Sequence, residues 1–178
     1  MFGITIKKRL SEDQLSNIFV NGIFESVENS FEDVAGLINN DISFVADPQV
    51  NPNNKHEFAL IVLAANIAII ESVFDYELAN DLRNSIFNKL ANVYSRDVKT
   101  VAAVIKDYQD QMMRLNRNSK NWSNSMALAI FEKYELNQYQ DEFFRRQNGC
   151  NPMFKKRLGD IMSNYIWDWD EMRKKYKF

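Results

Sequence analysis

The chain has 178 residues, 46% of them hydrophobic and 26% charged, with a formal net charge of −2, which fits one folded domain with a substantial core. Five glycines and three prolines argue against a turn-rich all-β fold and for long helices. The single cysteine excludes an internal disulfide, and the start MFGITIKKRL has no apolar region of the secretory kind, so a cytoplasmic location is expected.

Helix signals then follow one another along the chain. Ser11 and Gln14 form a capping-box pattern, in which each side chain can satisfy the other residue's backbone donor. Leu15, Ile18, Phe19, Ile23 and Val27 share one arc at 100° per residue, predicting an amphipathic helix to about Asn29. Ser30 and Asp33 suggest a second, short helix through Ile38. The stretch 39–55 holds two of the three prolines, and reads as a long loop that crosses the fold or covers part of it. Helices are expected at about 56–75, 77–94 and 97–116, then beyond a polar connector at 116–125, at about 122–136 and 138–147. The NGCNP break at 148–152 assigns Gly149 to a helix end, and Asn151-Pro152 to the N-cap and first turn of the next helix. In the last segment Phe154, Leu158, Ile161, Met162, Tyr165, Trp169, Met172 and Tyr176 share one arc. That periodicity predicts a single amphipathic helix over 153–176.

The most apolar stretch, EFALIVLAANIAIIESVF at 57–74, poses the main question. Its uninterrupted part, Phe58 to Ile70, is shorter than the run of about 20 residues that a membrane span needs. It also contains Asn66 and is bracketed by Glu57 and Glu71. It is expected to be a core helix touched on most sides by others. Asn66 within it must find hydrogen-bond partners or be costly to bury. Two readings follow: an amide tied to a neighbouring loop, with 39–55 the nearest candidate, or an amide that orients a ligand in a helical cavity.

Little else has the form of a reactive site. The only histidine, His56, excludes a two-histidine metal centre within the chain. A carboxylate-only magnesium site, of the kind that serves nucleoside-phosphate hydrolysis, remains an alternative. The pairs Glu25/Glu28 and Asp107/Asp110 fall on polar arcs, which leaves Glu71 as the acidic candidate. Cys150 precedes a helix N-terminus, where a thiol pKa can be lowered. Gly-rich phosphate loops are absent from the sequence, so no catalytic, metal or cofactor residue is assigned.

Surface patterns remain. Residues 1–142 carry 13 Lys/Arg against 20 Asp/Glu, whereas residues 143–178 carry 9 against 4. Asn80, Asn84, Asn88 and Asn92 repeat at i+4, a pattern weakened by the chain's 21 asparagines. On a continuous last helix, Trp167 projects away from the core arc, so Trp167, Arg173, Lys174 and Lys175 form a candidate contact surface. The reading is a single all-α domain over 1–178, a bundle of about seven helices around the central 56–75 helix. The expected role is non-enzymatic, through a protein partner or a homo-oligomer, with no cofactor. A nucleic acid or another anionic surface bound by the basic C-terminal segment is the less favoured alternative.

Overall fold

The computed structural model of the chain describes residues 7–117 and 119–178. A short strand β1 (Lys8–Arg9) leads into helix α1 (Glu12–Asn39), which opens with the expected box. Ser11 Oγ accepts from the Gln14 N–H at 3.2 Å and the Ser11 N–H donates to Gln14 Oε1 at 3.2 Å. No break follows Asn29. Phe31, Val34, Ala35 and Ile38 continue the buried arc, so the two helices expected over 12–38 are one helix of 28 residues. Ser30 does not start a new helix, because its hydroxyl bonds back to the Ser26 carbonyl and to the Tyr165 hydroxyl.

Helices α2 (His56–Val73), α3 (Tyr76–Tyr94), α4 (Val98–Leu115) and α5 (Trp122–Lys133) follow. Asp75, Asp97 and Asn121 cap the last three through side-chain oxygens that accept from backbone N–H groups. Caps of this kind are worth about 1 kcal/mol each. Helix α2 has no side-chain cap at Lys55, and its stability rests on burial instead. Every residue from Phe58 to Ile67 is buried, and α1, α3, α4 and α5 all pack against it. By length and hydropathy alone α2 could cross a membrane, yet in this fold four helices cover it. The all-α bundle around a central helix is therefore what forms. The Gln109 amide of α4 donates to the Ala64 carbonyl at 3.0 Å, where the small residues of α2 let the neighbouring helix approach.

After α5 the chain makes a 3-10 turn (Leu136–Tyr139), a short helix α6 (Glu142–Gln147) and helix α7 (Pro152–Met162). Asn151 caps α7 with Pro152 in its first turn, as the sequence predicts. Helix α6 ends on Asn148, with φ 49°, rather than on Gly149.

The predicted 153–176 helix is not continuous. Helix α7 stops at Met162, a 3-10 turn spans Ser163–Tyr165, and α8 runs from Trp169 to Lys175. No glycine or proline lies in SNYIWD to mark the break. The cause lies 100 residues away, on α2. A continuing helix would bond the Tyr165 carbonyl to residue 169 and the Trp167 N–H to residue 163. Here the Asn66 amide takes both, donating to the Tyr165 carbonyl at 2.8 Å and accepting from the Trp167 N–H at 2.7 Å. The chain is turned inward, and α8 delivers strand β2 (Tyr176–Lys177) to β1, with which it pairs in parallel.

Candidate functional site

Asn66 is fully buried, and both its N–H donors are spent within the fold. Besides its bonds to the 165–167 turn, its second N–H donates to the Val62 carbonyl at 2.9 Å. It is the structural amide of the first reading, but its loop is 163–168 and not 39–55. The redirected turn also relocates Trp167. Its ring packs into α1 beside Gly22 and meets Phe19 edge-on at 5.6 Å. Trp169 stacks on the same Phe19 at 5.3 Å. Trp167 is thus half-buried in an aromatic cluster, not an exposed contact residue. The expectation of an outward indole assumed a continuous helix, and the break removes it.

Glu71 lies at the exposed end of α2 and pairs with Arg83 of α3. Among the described residues no group of three or more acids, histidines or cysteines converges as a metal site would require. Nearer the start of α2, Glu57 accepts from the Tyr108 hydroxyl and lies 3.8 Å from Lys133, whose ammonium sits 4.4 Å from the Tyr108 ring centroid. Burial and the Glu57 carboxylate push the Tyr108 hydroxyl well above its ordinary pKa, so it remains a donor that ties α4 to α2. Cys150 borders a groove of about 890 Å³ with Arg114, Glu132, Glu135 and Lys155. Burial pushes its thiol up to about 12, against a small lowering by Lys155. The helix start does not activate it as the sequence suggested, because desolvation outweighs that effect.

The remaining candidate surface is on the outside. The 39–55 segment is a strap pinned at several points rather than a mobile cover. Asn39 exchanges two hydrogen bonds with Val50 at 3.1 and 2.7 Å. Arg157 of α7 grips Asp41 in a fork at 2.9 and 2.5 Å, and reaches Ser43 at 2.7 Å. Burial pushes the Asp41 carboxyl up, but the Arg157 and Ser43 hydrogen bonds outweigh that and hold it below the ordinary carboxylate range. Phe44 bridges to Gln140, and Val45 N–H donates to the Tyr139 carbonyl at 2.8 Å. Gln140 in turn holds the Gly149 carbonyl at 2.8 Å and the Asn151 N–H at 2.7 Å.

These bonds gather apolar side chains that face outward. Ile42 is 90% exposed, Val45 73%, Phe143 65%, Met153 62% and Leu37 55%. Five of the eight large exposed hydrophobic residues among the described ones lie on the strap or on helices it is bonded beside: Leu37 near the end of α1, Ile42 and Val45 on the strap, Phe143 on α6 and Met153 on α7. Glu32 and Asp33 border the Leu37–Ile42 end, where Gly36 leaves open space. Arg145 and Arg146 follow Phe143 on α6 and are exposed. The sequence reading missed this corner. The available signal was the apolar set Ile42, Phe44, Val45 and Val50 inside an Asn-, Asp- and Pro-rich loop, of which Ile42 and Val45 are the exposed members.

The other predicted surface residues divide. Lys174 and Lys175 are exposed and pair with Glu171. The Arg173 guanidinium lies 4.9 Å above the Phe74 ring and reaches the Val73 carbonyl and Asp170. Asn80, Asn84, Asn88 and Asn92 are all exposed along α3. Compared with known protein families, with curated proteins and with solved structures, the chain matches none.

Proposed function

We propose that the protein acts by protein–protein contact through the corner of Leu37, Ile42, Val45, Phe143 and Met153, and that the occupant is a second copy of this chain. The observation that carries this reading is that the exposed apolar side chains of Ile42 and Val45 stand on a hydrogen-bonded strap, with Leu37, Phe143 and Met153 exposed on the helices beside it. Isolated apolar residues are ordinary on a surface, whereas a gathered set on a rigid support marks an interface.

The charges favour self-association. The acids Glu32 and Asp33 share a groove with Leu37 and Ile42, while Arg145 and Arg146 follow Phe143 on α6, where Arg146 also pairs with Glu142. A two-fold axis through the apolar centre brings each copy's acidic end against the other's arginines. Stable interfaces bury about 800 Å² on each partner, so the corner would form the centre of such a contact and its charges the rim.

Sedimentation velocity over a wide concentration range tests this. The wild-type chain is expected to dimerise, and Ile42→Asp with Val45→Asp is expected to leave a monomer with an unchanged circular-dichroism spectrum. Raised salt is expected to weaken the dimer. A wild-type chain that stays monomeric at about 200 µM, near the weak end of specific association, would overturn the proposal, as would a dimer indifferent to the double substitution.

A further inference from the structure

A second exposed feature lies on the paired termini and is independent of the apolar corner. Strand pairing sets Lys8 opposite Tyr176 and Arg9 opposite Lys177, and the Leu10 N–H donates to the Lys177 carbonyl at 2.8 Å. Beside this pair is a groove of about 560 Å³ whose lining includes Lys7, Arg9, Arg173 and Lys177. Lys7 and Arg9 both line it, whereas Lys8 does not. The Lys7 ammonium donates to the Arg173 carbonyl at 2.7 Å, which fixes the cations from the two ends beside one another. Asp75 is the one acid in the lining. Its carboxylate is already engaged as the N-cap of α3, accepting from the Leu78 N–H at 3.0 Å.

With Arg173 paired to Asp170, Lys7, Arg9 and Lys177 remain against the one carboxylate of the lining, and a bound anion relieves the repulsion among them. Phe74, Tyr176 and Phe178 form the rest of the wall with Val73 and Leu78. Phe178 meets Phe74 edge-on at 5.6 Å, and each of the three aromatics is half-buried, with part of its surface open. Lysine and arginine beside accessible aromatic rings is the combination that holds a phosphate and stacks a base. The volume lies within the range of small-ligand sites.

We propose that the groove between the paired termini binds a nucleotide unit, its phosphate held by Lys7, Arg9 and Lys177 and its base laid against Tyr176 and Phe178. Arg173 is held against the wall by its hydrogen bonds to the Val73 carbonyl and Asp170. The unit is supplied either as a free mononucleotide or within a single strand.

Fluorescence anisotropy and calorimetry on the full chain separate these sources, with AMP, a short single-stranded oligothymidylate and inorganic phosphate as probes. Binding is expected at low salt, weakened at least tenfold by Lys7→Gln with Arg9→Gln and Lys177→Gln. Lys106→Gln with Lys156→Gln removes two cations of α4 and α7 and is expected to change nothing. Asp75→Asn keeps a capping side chain while removing the opposing charge, so it is expected to tighten binding several-fold, which a merely structural role would not do. Equal affinity for AMP and the oligothymidylate identifies the free nucleotide as the source, and saturation by the strand alone identifies the polymer. For the strand, one neutralised phosphate gives a slope of about −0.7 in log K against log salt. The proposal is overturned if neither nucleotide probe binds, if inorganic phosphate binds as tightly as AMP, or if the triple substitution has no effect.

Discussion

The turn held by Asn66 and the strap held by Asp41, Asn39 and Gln140 are built from the same material and end in opposite states. Both are irregular segments fixed by hydrogen bonds to distant parts of the chain, through the Asn66 side chain at the turn, and through the Arg157–Asp41 pair and backbone bonds to Tyr139 and Gln140 at the strap. At the turn, the hydrogen bonds draw Trp167 and Trp169 inward against Phe19. At the strap, they hold Ile42 and Val45 outward. A side-chain anchor decides where the backbone goes, and the direction of the anchored residues decides whether the result is core or surface.

The largest expected effect breaks the inward case. Asn66→Leu has similar volume but leaves the Tyr165 carbonyl and the Trp167 N–H buried without partners. At about 1–3 kcal/mol for each such group, the loss is expected to be about 2–5 kcal/mol in urea denaturation. A loss under 1 kcal/mol would mean that the turn is held by aromatic packing and not by the amide.

Next is Gly22→Ala. A Cβ there would come within 2.5 Å of the Trp167 ring carbons, so the indole must move out of its site. Overpacking of this kind costs about 1–3 kcal/mol, and the near-ultraviolet dichroism of the tryptophans should change with it. An unchanged spectrum with full stability would show that the ring has room to yield.

A smaller effect is expected at the strap from Arg157→Met. Removing a forked, partly exposed ion pair costs about 1 kcal/mol, and the Asp41 carboxyl should titrate closer to its ordinary value. In the wild type, Asp41 is held below the unfolded value of about 3.9. Its contribution is therefore complete above that pH and is lost as pH falls through the lowered folded value. The difference in stability between wild type and Arg157→Met should shrink below pH ~4, as measured by denaturation across that range. A difference that stays constant with pH would remove the carboxylate from the explanation.

The smallest effect on stability sharpens the outward case. Ile42→Asp touches a side chain already in solvent, so the monomer's midpoint should move by no more than about 0.5 kcal/mol while association is lost. A large loss of stability instead would show that Ile42 belongs to the fold.

Local chemistry explains which elements were legible. Ser11 with Gln14, and Asn151 with Pro152, act on backbone groups within three residues, so the pattern and the structure agree at those helix starts. The buried arc of 57–74 also declares α2 a core helix, since no neighbour need be known to see that it has no polar face. The break at 163–168 was hidden because Phe154, Leu158, Met162, Tyr165, Trp169 and Met172 are all buried on both sides of it. A helical arc survives there while the helix does not, and the residue responsible sits on another helix. The same limit applies to the apolar corner, which exists only after the strap is laid against Gln140 and Arg157. It applies equally to the basic groove, where cations from opposite ends of the chain meet. The aim of the Trp167 side chain was misread for this reason alone.

The strand pair at the termini has a consequence for the order of folding. The contact from Lys7 to Arg173 spans 166 positions, and closing a flexible loop of that length costs about 4.5 kcal/mol in the length-dependent part alone. Two short strands cannot offset that in an extended chain. The helices must collapse first and shorten the gap, so this clasp forms last and opens first, ahead of any global unfolding. The two halves of the basic groove exist together only while the clasp is shut, and a ligand that bridges them would hold the chain closed.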